Sequence, residues 1–97
     1  MIASFKDKGT EDVFDNEDTK AARKTCPREI WKVAQRKLAM TEAAAMIADL
    51  RVTPGNALEK LKRDRAGQQS IRINDQYRIC FVWTDKGAEG VEITDYH

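Results

Sequence analysis

The sequence predicts an α+β fold, with helices packed on one face of a mostly antiparallel, twisted sheet of about four to five strands. Three observations carry this expectation. Apolar residues in the first half recur at spacings of three and four, the period of a helix. Beyond Asn56 the period falls to two, the alternation of half-buried strands. Between the two regimes stands Pro54-Gly55-Asn56, a cluster that ends one element and turns the chain. At 97 residues, with 41% hydrophobic and 34% charged side chains, the chain is sized and composed as one globular domain, residues 1–97.

The elements follow in order. "MIASF" is a short apolar opening with the look of a first strand, and Thr10 to Phe14 suits a brief helical turn. "DNEDTKAARKT" is polar and reads as a loop or mobile connection. Cys26-Pro27 then opens the clearest helix, because proline at a first-turn position lacks only an N–H that would have no partner. Glu29 adds a carboxylate at the positive end of the helix dipole. Ile30, Val33, Ala34, Lys37 and Leu38 form its inner stripe, widened by Trp31. Near Met40-Thr41 the pattern restarts, with Thr41 as cap of a second helix through Ala44, Ala45, Ile47 and Ala48 to about Leu50.

"ALEKLKRDRAG" reads as a short strand and a basic loop. "QSIRIND" and "QYRICFVWTD" make two strands about a tight turn near Asn74-Asp75, and "GVEITDYH" follows a hairpin over Lys86 to Gly90. Alternation puts Ile71, Ile73, Tyr77, Ile79, Phe81, Trp83, Val91 and Ile93 on the helix-covered face. The opposite face carries Arg72, Asn74, Arg78, Cys80, Val82, Glu92, Thr94 and Tyr96, and is expected to stay open. By alternation Asp95 and His97 fall on the other side from Tyr96, so the last strand must twist or end before His97 for the three to converge.

Charge and motif content narrow the function. The net charge of +1 conceals blocks of −3 over residues 1–20, +3 over 21–50, +4 over 51–80 and −3 over 81–97. A basic middle of this kind offers a local positive field to a polyanion. An open sheet face bearing arginines and a tyrosine suits single-stranded RNA, whose phosphates pair with guanidinium forks and whose bases stack on aromatic rings. The bland alternative is a solvated polar face. No Gly-rich phosphate loop, GxSxG elbow or HExxH is present, and His97 is the sole histidine, so neither a metal site nor a cofactor is expected. Cys26 and Cys80 are expected to be reduced packing residues. No apolar run reaches the length of a membrane span, and "MIASFKDKGTED" meets charge too early for a signal peptide, so no membrane partner and a cytoplasmic location are expected.

The stretch from "PGNALEKLKRDRAGQQSIRINDQYRICFVW" to "VEITDYH" resembles the HigB group of the RelE superfamily, the "killer protein" toxins of bacterial type II toxin–antitoxin pairs. The P-G-N-x-L-E-x-L turn and strand, the basic loop, the "YRICFVW" strand and the closing "DYH" carry the resemblance, over nearly half the chain. It implies a RelE-like fold, and a toxin that enters the ribosomal A site against ribosomal RNA and cuts the mRNA there. It further implies a HigA-like antitoxin partner with a helix-turn-helix domain, and contact with operator DNA only through that antitoxin. Residue by residue, Arg78 matches the arginine on the scissile phosphate, while Lys62 and Arg72 match residues that neutralise the RNA backbone. Arg63 and Arg65 lie in the same basic segment. Asp95, Tyr96 and His97 match the terminal triplet. Glu59 stands where some relatives have a histidine, which leaves the first proton acceptor open.

Metal-free RNA cleavage needs a base for the 2′-OH, cations for the charge building on phosphorus, and an acid for the leaving 5′-oxygen. Arg78 suits the cationic task, supported by Lys62 and Arg72. His97 suits proton transfer, with Asp95 to orient it or raise its pKa. Tyr96 is placed to stack on a base or orient the substrate, and Glu59 is a reserve base. Two readings need no His97: a module that blocks translation by occupying RNA or the ribosome, and a protein that only binds an antitoxin.

Overall fold

The computed structural model describes residues 1–96; His97 lies outside the described residues. Four strands form one fully antiparallel sheet in the order β1-β2-β3-β4, with β1 Glu59–Lys60, β2 Gln69–Arg72, β3 Tyr77–Thr84 and β4 Gly87–Asp95. Helices α1 (Lys8–Phe14), α2 (Lys20–Thr25), α3 (Trp31–Ala43) and α4 (Ala48–Arg51) complete it. The core lies between helices and sheet. Val13, Ala22, Trp31, Ala34 and Leu38 meet Ile71, Ile79, Phe81, Val91 and Ile93 there, with Tyr77 and Trp83 packed partly buried against them. The inward face predicted by alternation is the face observed.

Several boundaries differ from the sequence expectation, each for a local reason. "MIASF" forms only two isolated parallel bridges to β4, Ile2 with Ala88 and Phe5 with Val91. Between them β4 bulges at Gly90 (φ +62°), and the Gly90 N–H donates to the Ser4 hydroxyl instead of a main-chain carbonyl. The segment still covers the outer edge of β4, which would otherwise present unpaired N–H and C=O groups. The predicted loop "DNEDTKAARKT" contains α2, capped by the Thr19 hydroxyl on the Ala22 N–H at 3.1 Å and anchored by the buried Ala22. The Pro27 helix begins with a 3-10 turn over Arg28–Ile30 and becomes α-helical at Trp31.

Thr41 caps nothing. It sits inside α3, fully buried, and its hydroxyl donates to the Lys37 carbonyl at 3.0 Å. Helix α3 ends only at Ala44, where ψ is 126°. The second helix is then a single turn, α4, with the Asp49 carboxylate accepting from the Ala45 and Met46 N–H groups. The β3–β4 hairpin is tighter than expected: Thr84 pairs with Gly87 around Asp85-Lys86, so residues 87–90 belong to the strand. The β2–β3 turn lies where predicted, with the Asn74 side chain accepting from the Gln76 and Tyr77 N–H groups.

Helices α1 and α2 are tied by Asp12. Its buried carboxylate accepts from the Thr19 hydroxyl at 2.6 Å and pairs with Lys8 at 3.1 Å. The Thr19 hydrogen bond holds the carboxyl below the ordinary carboxylate range, opposed by burial and reinforced by Lys8. A carboxyl depressed on folding stabilises fully above its unfolded value, near 3.8, and loses that contribution as pH falls through the lower folded value. Asp12→Asn therefore lowers the urea midpoint at neutral pH, and its deficit against wild type shrinks as pH falls below the unfolded value of 3.8. A deficit independent of pH would show that the Asp12 charge does not hold the helix pair.

Candidate active site

The outer face of the sheet is not left open as the sequence suggested. The chain between β1 and β2 folds back over it, closed by the Leu61 N–H on the Gln68 carbonyl at 2.9 Å. From this loop Arg65 reaches Glu92 on β4 at 2.8 Å and Gln68 at 3.0 Å, while Lys6 meets Glu92 at 3.3 Å. Hydrogen bonding to Glu92 raises the Arg65 pKa further. Ser70 and Cys80 are fully buried, and Glu92 is nearly so. Burial pushes the Cys80 thiol up, and the Cys26 thiol up to about 11, so neither is a ready thiolate at neutral pH.

Between this loop and the end of β4 lies a cleft of about 420 Å³, lined by Glu59, Lys60, Leu61, Lys62, Arg63, Asp64, Arg65 and Tyr96. Four basic groups thus face two acidic ones. Lys60, Lys62 and Arg63 are exposed, and among the described residues none of the three is in an ion pair. Arg63 holds φ +59°, which lets the chain reverse within a 3-10 turn over Arg63–Arg65. Tyr96 is brought to the cleft because β3 and β4 stay paired to Tyr77 and Asp95, and the Tyr96 N–H then donates to the Gln76 carbonyl at 2.8 Å.

Arg78 adjoins the cleft through Glu59. Its side chain is only 13% exposed, and Nε lies 3.7 Å from the Glu59 carboxylate. Two neutral acceptors hold it: the Ser70 hydroxyl takes Nε–H at 2.7 Å and the Ala57 carbonyl takes Nη2–H at 2.7 Å. The other sheet arginine is committed differently, since Arg72 pairs with Asp75 in the neighbouring turn.

The predicted site residues thus divide. Glu59, Lys62, Arg63, Arg65 and Tyr96 share the cleft, with Arg78 beside it and Arg65 engaged by Glu92. Arg72 is directed to Asp75. Asp95 does not line the cleft; its carboxylate accepts from Gln76 Nε2 at 2.9 Å. The convergence of Asp95, Tyr96 and His97 lies outside the described residues, because it turns on His97. Sequence reasoning passed over Lys60 and Asp64 in the cleft wall and Ser70 beneath Arg78. Ser70 was within reach of the pattern, for it alternates with Arg72 on the Arg78 face. Among the described residues no group of three or more His, Cys, Asp or Glu side chains could hold a metal ion, and no helix is long and apolar enough to cross a membrane.

Fold and site together define a small α+β protein that sets a shielded arginine beside a basic cleft with one aromatic wall. The family described as the RelE-like toxin of the type II toxin–antitoxin system HigB matches residues 3–97. Toxin HigB-1 of Vibrio cholerae serotype O1 is 41% identical over 96 residues, spanning 99% of this chain and 94% of its own. A protein of Haemophilus influenzae is 44% identical over 57 residues, covering 59% of this chain and 56% of its own. Among solved structures, the YoeB–YefM complex from Staphylococcus aureus contains a chain that superposes with a TM-score of 0.57 at 16% identity, covering 100% of this chain and 98% of that one; this likeness concerns the fold alone. The chain belongs to the HigB-like toxins, RelE-like toxins of type II toxin–antitoxin systems.

Proposed function

We propose that the protein is a ribosome-dependent endoribonuclease that arrests translation by cutting mRNA in the ribosomal A site. The observation that carries this reading is the state of Arg78. The guanidinium is 13% exposed, is hydrogen-bonded to two neutral acceptors, and meets a carboxylate only at 3.7 Å, from the half-exposed Glu59, so its charge is loosely countered. Such a site favours an incoming anion, and its shielding from water strengthens the attraction.

The reaction needs no group beyond the chain and its substrate. A base takes the proton of the 2′-OH, the 2′-oxygen attacks the adjacent phosphorus in line, and the P–O5′ bond breaks. A 2′,3′-cyclic phosphate remains on one fragment, and an acid supplies the proton that makes the other a 5′-hydroxyl. Arg78 carries the charge building on the phosphoryl oxygens. Lys60, Lys62 and Arg63 hold the flanking phosphates, and Tyr96 stacks on a base. Glu59, beside both Arg78 and the cleft, is the proton acceptor this geometry favours. His97 is the proton donor in this scheme and Asp95 its orienting group. The partner that silences the toxin is a HigA-like helix-turn-helix antitoxin, through which alone operator DNA is met. Membership of a type II toxin–antitoxin family supports an antitoxin partner. The cytoplasm, where mRNA is translated, is the site of action.

Induced expression followed by mapping of mRNA 5′ ends tests the proposal. Fresh ends at codon-related positions are expected. Growth arrest without new ends would replace cleavage by occupancy of the ribosome, and no arrest would leave antitoxin binding as the function. His97→Ala should keep the fold and lower cleavage by about 10²–10⁴-fold, the usual contribution of a general acid or base. Undiminished toxicity in that variant would remove His97 from the mechanism.

A further inference from the structure

We infer that Arg78 is aimed by a built-in clasp, in which Ser70 and the left-handed residue Ala57 grip one edge of its guanidinium and leave the other edge for phosphate. The inference rests on the assignment of Arg78 to the phosphate and adds the residues that position it.

Nε and Nη2 make up one edge of the guanidinium plane, and Nη1 with the second Nη2 proton makes up the other. The first edge is filled by the Ser70 hydroxyl and the Ala57 carbonyl, each at 2.7 Å. The second makes no hydrogen bond among the described residues. It therefore keeps the two parallel donors that match a pair of phosphoryl oxygens. With both grips in place the plane cannot rotate about its last side-chain torsions, so the free edge has one direction.

The grip at residue 57 is held against a backbone preference. Ala57 has φ +46°, a conformation costly to a residue with a Cβ. What holds it there is Asn56, fully buried, with every polar group engaged. Its side-chain amide donates to the Leu50 carbonyl at 3.0 Å, its side-chain oxygen accepts from Lys37 at 2.5 Å, and its carbonyl accepts from the Arg72 N–H at 2.6 Å. Lys37 is itself buried, and burial lowers its pKa, with Arg36 and Arg72 adding to the effect. A buried ammonium whose one hydrogen bond among the described residues goes to an amide oxygen costs free energy. That hydrogen bond fixes Asn56 from the helical layer. The helical layer thus reaches through Lys37 and Asn56 to the Ala57 carbonyl, and Ser70 closes the clasp from β2. These are positioning residues: none of them needs to touch RNA.

The test is single-turnover cleavage of ribosome-bound mRNA by Ser70→Ala, Ala57→Gly and Arg78→Ala, and by each of the first two combined with Arg78→Ala. Glycine at 57 relieves the backbone strain, so a merely structural role for Ala57 predicts equal or better thermal stability with an unchanged rate. The clasp predicts a rate about 10- to 100-fold lower in Ser70→Ala and in Ala57→Gly, with the concentration of ribosomes needed for half-saturation little changed. It also predicts no further loss when either is added to Arg78→Ala, because both act through that guanidinium. In the free toxin, the Arg78 Nε–H signal in nitrogen-15 NMR should exchange faster with solvent in Ser70→Ala. Wild-type rates in both single variants, or losses that multiply with that of Arg78→Ala, overturn the inference. Should Ser70→Ala not fold, Ala57→Gly carries the same comparison. Full activity in Arg78→Ala would overturn the phosphate assignment instead, and the Nε–H exchange would still decide whether the clasp forms.

Discussion

Arg78→Ala is expected to lower the cleavage rate by about 10²–10³-fold or more, the range seen when one preorganised donor to a developing oxyanion is removed. Three features of the site set this magnitude. The guanidinium is largely shielded from solvent, so its interaction with the transition-state charge is stronger than that of an exposed lysine in the loop. Its orientation is already set by Ser70 and Ala57, so little reorganisation is needed when charge develops. Neither Arg65 nor Arg72 can replace it, because Arg65 is engaged by Glu92 and Arg72 by Asp75. Arg78→Lys should recover little of the loss, since an ammonium keeps the charge but not the planar fork that meets two acceptors and two phosphoryl oxygens at once. The variant should remain folded, because the carboxylate left without its partner, Glu59, is half exposed and stays solvated. Toxicity on induction and the rate of mRNA cleavage on purified ribosomes provide the check. A rate within tenfold of wild type would place the scissile phosphate elsewhere in the cleft.

Gly9→Ala should cost about 2–3 kcal/mol, the scale of overpacking in a closely packed site, and lower the melting temperature by roughly 10–20 °C. Intrinsic propensity argues the opposite, since Ala is favoured over Gly inside a helix by up to about 1 kcal/mol. The packing decides the sign. A Cβ built on Gly9 would lie 1.9 Å from the Thr25 hydroxyl oxygen and 2.6 Å from the Ala21 carbonyl oxygen. The first neighbour can rotate away; the second is backbone of α2 and cannot. Thr25→Ala added to Gly9→Ala should therefore recover only part of the loss, leaving the helix pair forced apart. Thermal unfolding of the two variants settles it, and a melting temperature at or above that of wild type would mean that α1 and α2 are not held at this distance.

The sheet was readable because its signal is local and repeated. Ile71, Ile79, Phe81, Val91 and Ile93 alternate in sequence and are buried in the structure, as period-two spacing requires. Asn74 announced its turn for the same kind of reason, its short side chain accepting from N–H groups two and three residues ahead. Helix α2 was hidden in "DNEDTKAARKT" because six helical residues with one fully buried alanine leave almost no periodic trace; packing against α1, not amphipathicity, makes it helical. Thr41 misled because a threonine before a run of alanines looks like a cap, while its buried hydroxyl had the Lys37 carbonyl within reach.

The site shows the same division. The residues proposed for binding and cutting RNA, Arg78, Lys62, Arg63, Tyr96 and Glu59, were visible along the chain, and so was the face on which Arg78 lies. Which arginine keeps one guanidinium edge unbonded among the described residues was not visible, since Arg65, Arg72 and Arg78 are alike as letters. The distinction arises from the partner each one meets: Glu92 for Arg65, the adjacent turn residue Asp75 for Arg72, and for Arg78 a buried serine and a carbonyl held in place from α3. Periodicity records which side of an element a residue occupies, because that depends only on backbone geometry. What the residue meets on that side depends on how loops and strands close in space, and there the tertiary structure alone gives three equivalent cations different partners: carboxylates at hydrogen-bond distance for Arg65 and Arg72, and two neutral oxygens for Arg78.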